Sequence, residues 1–97
     1  MTRAYEIAVV IDPQLSDPEI ERFLHTLRQL LAKQDVTIEE EDLWGRRPTA
    51  YELQGHQEGY YAFFKVSMPT DKVAAVEQSL KLNESVIRHL VVLEEKE

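Results

Sequence analysis

Cysteine is absent from this chain, glycine occurs three times, and Lys plus Arg number eleven against eighteen acids. Each shortage excludes something. Without thiols there is no disulfide staple, no thiolate metal site and no thiol nucleophile, and a cytoplasmic setting is mildly favoured. The three glycines, Gly45, Gly55 and Gly59, form neither GxGxxG nor GxxxxGK[ST], which excludes the phosphate loops of nucleotide enzymes. No run of about 18 apolar residues is present, and Met-Thr-Arg-Ala-Tyr-Glu lacks the basic-then-apolar order of an export signal. The expectation is a chain neither exported nor membrane-spanning. A formal net charge of −7 removes any general attraction to nucleic acid, whose binding is driven by phosphate neutralisation. Net charge does not describe local fields, however. The acids gather at Glu39-Glu40-Glu41-Asp42 and Glu94-Glu95-Lys96-Glu97, while Arg46 and Arg47 stand together just after the first cluster.

An apolar content of 43% with 30% charged residues is an ordinary globular mix. Area scaling buries about 65% of the open chain's surface, enough for a single domain over residues 1–97. Tyr5, Ile7, Val9 and Ile11 alternate with Glu6, Ala8 and Val10, which predicts a strand over 3–11 ended by Asp12-Pro13. Ser16-Asp17-Pro18-Glu19 reads as a capping box, and Ile20, Phe23, Leu24, Leu27, Leu30 and Leu31 give the helix it opens, 17–33, one apolar face. Val36, Ile38, Leu43 and Trp44 mark a second strand. Its four consecutive acids and Pro48 favour a solvated edge with a bulge, kinked at Gly45 and running on to Leu53. Residues 54–59 read as a turn, and the aromatic, β-branched run 60–68 as a central strand. Pro69 stops it, Thr70-Asp71 caps a second helix striped by Val73, Val76 and Leu80, and 86–93 is a last strand. The order βαββαβ, with right-handed crossovers and one apolar face per helix, predicts the α+β class. The architecture is ferredoxin-like: a four-stranded antiparallel sheet, both helices on one face, strands one and three central.

Catalytic constellations are missing from this pattern. His25, His56 and His89 fall in a helix, a turn and a strand without metal-ligand spacing, and each reads as a structural or surface residue. Within 39–42 neighbouring side chains point to opposite faces, so the run reads as a solvated edge that deters sheet pairing. No cofactor, no metal and no enzymatic activity are expected. The sheet face away from the helices is more informative. If Ala62, Phe64 and Val66 face inward, then Tyr61 and Phe63 face outward beside Ala8 and Val10, leaving an apolar patch open to a protein or to unstacked bases. Arg46 and Arg47, at the kink beside Gly45, can both be aimed at phosphates along one RNA backbone. The competing reading pairs them with Glu39–Asp42 or Glu52. Arg3 and Arg88 are isolated cations in the first and last strands.

Tyr5-Glu6-Ile7, Asp12-Pro13, Trp44-Gly45-Arg46-Arg47 followed by Ala50-Tyr51, Val66-Ser67-Met68-Pro69 and Asn83-Glu84-Ser85-Val86-Ile87-Arg88 occur in an order and spacing that resembles the bacterial small-subunit ribosomal protein six family. The resemblance runs from about residue 3 to 93. It implies a non-catalytic ferredoxin-like domain, cytoplasmic and ribosome-associated, that binds the central domain of small-subunit (16S) ribosomal RNA together with small-subunit ribosomal protein eighteen. On that basis Arg46, Arg47, Arg3 and Arg88 are the candidate rRNA-binding residues, and Val10, Tyr61 and Phe63 the candidate protein-partner surface. The isolated chain is expected to be a monomer with weak affinity for RNA. Thr49 and Glu52 depart from the family's aliphatic residue and proline, and contacts by the longer C-terminal tail of many members are not assumed for a sequence that stops at Glu97. Two other classes fit the composition: a regulatory ferredoxin-like module that dimerises through its open sheet or edge strand and senses a metabolite, and a binder of single-stranded RNA resembling the RNA-recognition motif.

Overall fold

Alternation builds the two inner strands. In the computed structural model, β1 (Thr2–Ile11) and β3 (His56–Pro69) pair antiparallel at the centre of a sheet ordered β2-β3-β1-β4. Backbone is described for residues 1–53 and 56–94, and side chains for 1–48 and 58–94. Tyr5, Ile7, Val9 and Ile11 of β1 and Ala62, Phe64, Val66 and Met68 of β3 are buried on one side of the sheet. Helix α1 (Asp17–Lys33) lays Ile20, Phe23, Leu24, Leu27 and Leu31 on that side, and α2 (Val73–Leu82) adds Val76 and Leu80 to the same core. The outer strands are β2 (Thr37–Leu53) and β4 (Val86–Leu93). This is the expected α+β, ferredoxin-like arrangement, with both helices on one face.

Local chemistry sets the boundaries. Ser16 Oγ accepts from the Glu19 N–H at 3.3 Å while Glu19 Oε1 accepts from the Ser16 N–H at 2.8 Å, a complete capping box. The Ser16 N–H, and its hydroxyl after it, hold the Glu19 carboxyl below its ordinary range. At the other end Asp35 takes a left-handed φ of 61°, and the Val36 N–H turns back to the Leu31 carbonyl at 3.0 Å.

Two boundaries differ from the sequence expectation. Strand β3 starts at His56, where Leu53 pairs with it, rather than after a turn over 54–59. Cross-strand pairing carries the polar segment 56–59 into the ladder although its composition favours a loop. Thr70-Asp71 does not cap α2. Residues Thr70–Lys72 form a 3₁₀ turn without a side-chain cap, and the Thr70 N–H is taken by the Met1 carbonyl at 2.8 Å. The expectations for residues 54, 55 and 95–97, and for the side chains of Thr49, Glu52 and His56, lie outside the described residues.

Candidate functional site

Two irregularities in β2 decide which side chains reach which face. Ile38 opposes Val66 and Glu40 opposes Lys65, so Glu39 is an extra residue; Leu43 opposes Ala62 and Gly45 opposes Tyr61, so Trp44 is another. Each extra residue reverses the in-out alternation beyond it. After the first, Glu40 and Asp42 register with Lys65 and Phe63 on the helix-free face, while Glu41 turns towards the helices. There Arg28 of α1 donates to it from Nε and Nη2, each at 2.8 Å. This bidentate contact holds the Glu41 carboxyl below its ordinary range and raises the Arg28 guanidinium above its own. After the second, Arg46 registers with Tyr60 on the helix side and Arg47 with Gly59 on the open side. Gly45 supplies the required bend at φ +80°, a conformation costly to any residue with a Cβ.

The helix-free face is aromatic on the β2–β3 side and aliphatic on the β4 side. Trp44 folds over it, with its ring centroid 4.6 Å from Phe63 and 6.3 Å from Tyr61. The indole N–H donates to Asp42 Oδ2 at 2.9 Å, which fixes the ring's direction. Across the sheet Leu90 and Val92, 55% and 46% exposed, register with Ala8 and Glu6 of β1. Tyr61 and Phe63 therefore stand in a wider apolar surface than expected, one that Trp44, Leu90 and Val92 enlarge. Val10 has the same register but is 8% exposed. It is packed beneath Gly59, where a β-carbon would collide with Val10 Cγ1, so it forms the floor of the face rather than its surface.

The four cations singled out from sequence do not form one cluster. Arg46 is tied to its own chain: Nη1 donates to Asp17 Oδ1 at 2.8 Å, Nη2 to the Leu15 carbonyl at 2.7 Å and Nε to the Pro13 carbonyl at 3.3 Å. The expected intramolecular partners, Glu39–Asp42, are engaged elsewhere or exposed; the partner is an acid of the first turn of α1. Arg47 pairs with Gly59 through its backbone, and its side chain lines a shallow cleft with Trp44, Pro48 and Tyr61, making no side-chain hydrogen bond or ion pair among the described residues. Arg88 registers with Val10, which puts it on the open face too, about 16 Å from Arg47 by strand spacing. Arg3 registers with Met68, on the other side of the sheet and about 24 Å further along it. The open face thus carries two cations at one end, while Glu6, Glu40 and Asp42 surround Lys65 beside Trp44 and Phe63 at the other.

Among the described residues no group of three His, Asp or Glu side chains is placed to hold a metal ion. No helix of the structure is long and apolar enough to cross a membrane. An antiparallel sheet with helices on one side and an open aromatic face on the other defines a ferredoxin-like module. Its relatives are specific. The family model described as Ribosomal protein S6 matches residues 4–93. The small ribosomal subunit protein bS6 of a Nocardioides species is 39% identical over 90 residues, 93% of this chain and 94% of that one. The bS6 protein of Mycolicibacterium paratuberculosis is 36% identical over 97% of this chain and 98% of its own length. A crystal structure of 30S ribosomal protein S6 from Thermotoga maritima superposes with a TM-score of 0.91 at 20% identity, covering 97% of this chain and 89% of that one, and shares the fold. The chain belongs to the ribosomal protein S6 family. It is therefore a ribosomal protein, ribosome-associated in the cytoplasm, from a family of structural proteins rather than enzymes.

Proposed function

We propose that this chain joins the small ribosomal subunit by binding the central domain of 16S rRNA jointly with small-subunit ribosomal protein eighteen. The partner covers the open sheet face at Trp44, Tyr61 and Phe63, with Val10 supporting it from below. Phosphates are met by Arg47, Arg88 and Arg3, with Arg46 acting at the same corner as Arg47. The observation that carries this reading is the bare aromatic face with Arg47 on its rim, in a chain whose net charge of −7 gives it little affinity for RNA by itself. Joint binding fits that combination, because a cationic partner supplies the attraction and its charge complements the acids beside Trp44. The family's small-subunit role points the same way.

Cooperativity is the test. In a filter-binding assay with a central-domain rRNA fragment, this chain alone and the partner alone are expected to bind weakly, and the mixture tightly. Equal binding by the partner with and without this chain would refute the reading. Light scattering of the isolated chain is expected to give a monomer; a stable dimer closing the sheet face would favour the regulatory alternative.

A further inference from the structure

We infer that Arg46 is a positioning residue and that Arg47 is the member of the pair that meets phosphate, a division of labour resting on the rRNA-contact reading above. The two arginines are adjacent in the strand and so point to opposite faces of the sheet, and the bulge at Trp44 decides that Arg46 takes the helix side and Arg47 the open side. Arg46 reaches over the helix-side end of the sheet to three acceptors, the Pro13 and Leu15 carbonyls and the Asp17 carboxylate. A planar guanidinium with a fixed fork of donors matches such a divergent set; a lysine ammonium does not. The loop it grips is otherwise fixed by the Asp12 N–H to the Ser85 carbonyl at 2.8 Å and the Gln14 N–H to Asp12 Oδ1 at 2.9 Å. Arg46 thus ties the edge strand β2 to the β1–α1 connection across β3.

That tie has a directional consequence. Beyond the bulge β2 is an edge strand carrying Arg46, Arg47 and Pro48, and Pro48 donates nothing to the ladder. A slip of one residue there would exchange the faces of Arg46 and Arg47. Holding Arg46 on the helix side fixes the register in which Arg47 lies beside Trp44 and Tyr61, on the side of the sheet assigned to the interface. Arg46 serves the RNA contact through Arg47 rather than by touching phosphate.

The two roles separate in the salt dependence of joint binding to the rRNA fragment, measured with thermal unfolding of each variant. Arg47→Ala is expected to leave the melting temperature unchanged and to reduce the log K against log salt slope by about 0.7–0.9, a loss of about five- to eightfold in affinity at 0.1 M salt. Arg46→Lys keeps the charge but not the fork, so it is expected to lower the melting temperature and, by freeing the register that places Arg47, to reduce the slope by no more than Arg47→Ala does. Arg46→Ala is expected to behave alike, and neither to reduce it further in the Arg47→Ala background. If Arg46→Ala does not fold, Arg46→Lys carries the comparison. Asp17→Asn, which weakens one arm of the clamp to a neutral acceptor, should give a smaller loss of stability than Arg46→Ala and a still smaller one when added to it. A slope that Arg46→Ala reduces further in the Arg47→Ala background, an Arg46→Lys protein that binds with the wild-type slope, or an Arg47→Ala protein with an unchanged slope, overturns the inference. Absence of joint binding by the wild-type chain overturns the parent reading and Arg47's contact with it, while additivity of Asp17→Asn and Arg46→Ala in stability alone would remove the clamp.

Discussion

Replacing Trp44 by alanine should separate fold from function more sharply than any other change on the open face. The indole is 49% exposed, so a partner seated on the sheet has about half of it left to cover. A large aromatic side chain buries up to about 250 Å², which puts the remaining area at roughly 120 Å² and its burial at about 3 kcal/mol on the usual area coefficient. That energy corresponds to a partner dissociation constant weakened about 150-fold. The folded chain itself loses the ring contacts with Phe63 and Tyr61, worth about 1 kcal/mol, and the melting temperature should fall by roughly 4–8 °C. Titration calorimetry against purified ribosomal protein eighteen measures the first effect and thermal unfolding the second. Leu82→Ala is the control, because Leu82 is 70% exposed at the end of α2, on the helix side. Its effect on partner affinity should stay below about twofold, as for a surface change outside the interface. A Trp44→Ala protein that is folded and binds the partner within about threefold of wild type, under 1 kcal/mol of the expected 3, would refute the assignment of this face.

Three further outcomes follow from the geometry. Gly59→Ala should destabilise by about 1–3 kcal/mol through the collision with Val10, and Val10→Ala in the same protein should recover part of that loss in urea unfolding; additive losses would contradict the contact. Removal of the cap hydroxyl by Ser16→Ala should cost about 1 kcal/mol, readable as a lower melting temperature, and an unchanged one would mean the capping box contributes nothing to stability. The Glu41 carboxyl lies below its ordinary value because Arg28 donates to it, so its contribution is fully present above the unfolded value near 4.3 and is lost as pH falls through the lower folded one. For a largely exposed pair the difference between wild type and Glu41→Gln should be at most about 1 kcal/mol at neutral pH and shrink on acidification; a difference that grows below pH 4 would contradict the sign.

Patterns of short range were legible in the sequence, and those that depend on a distant residue were not. Period-two alternation in β1, the capping box at Ser16 and the apolar stripe of α1 are complete within a few residues, and the chain folds as they indicate. The identity of the open face followed from the same alternation in β3, which is why the outward direction of Tyr61 and Phe63 was legible. The bulges at Glu39 and Trp44 are properties of a strand pair: a run of four acids marks an irregularity without saying which residue is extra. For that reason Trp44, whose ring completes the aromatic face, read as a strand residue, and Arg46 and Arg47 read as one basic site. Arg46's acceptors lie 29 to 33 residues away in the chain, where sequence spacing carries no signal. Val10 shows the converse limit, since its outward register was legible but its burial under a glycine of the neighbouring strand was not. Leu90 and Val92 were visible as members of β4, and only the strand order placed them beside Ala8 on the same surface.

Incorporation into the particle tests the whole account most directly. A tagged copy of this chain, expressed in a bacterium and followed through a sucrose gradient, is expected to travel with the small ribosomal subunit, and the Trp44→Ala copy to remain near the top. A wild-type protein that stays in the light fractions while folded, or a Trp44→Ala protein that travels with the subunit as fully as wild type, would contradict it.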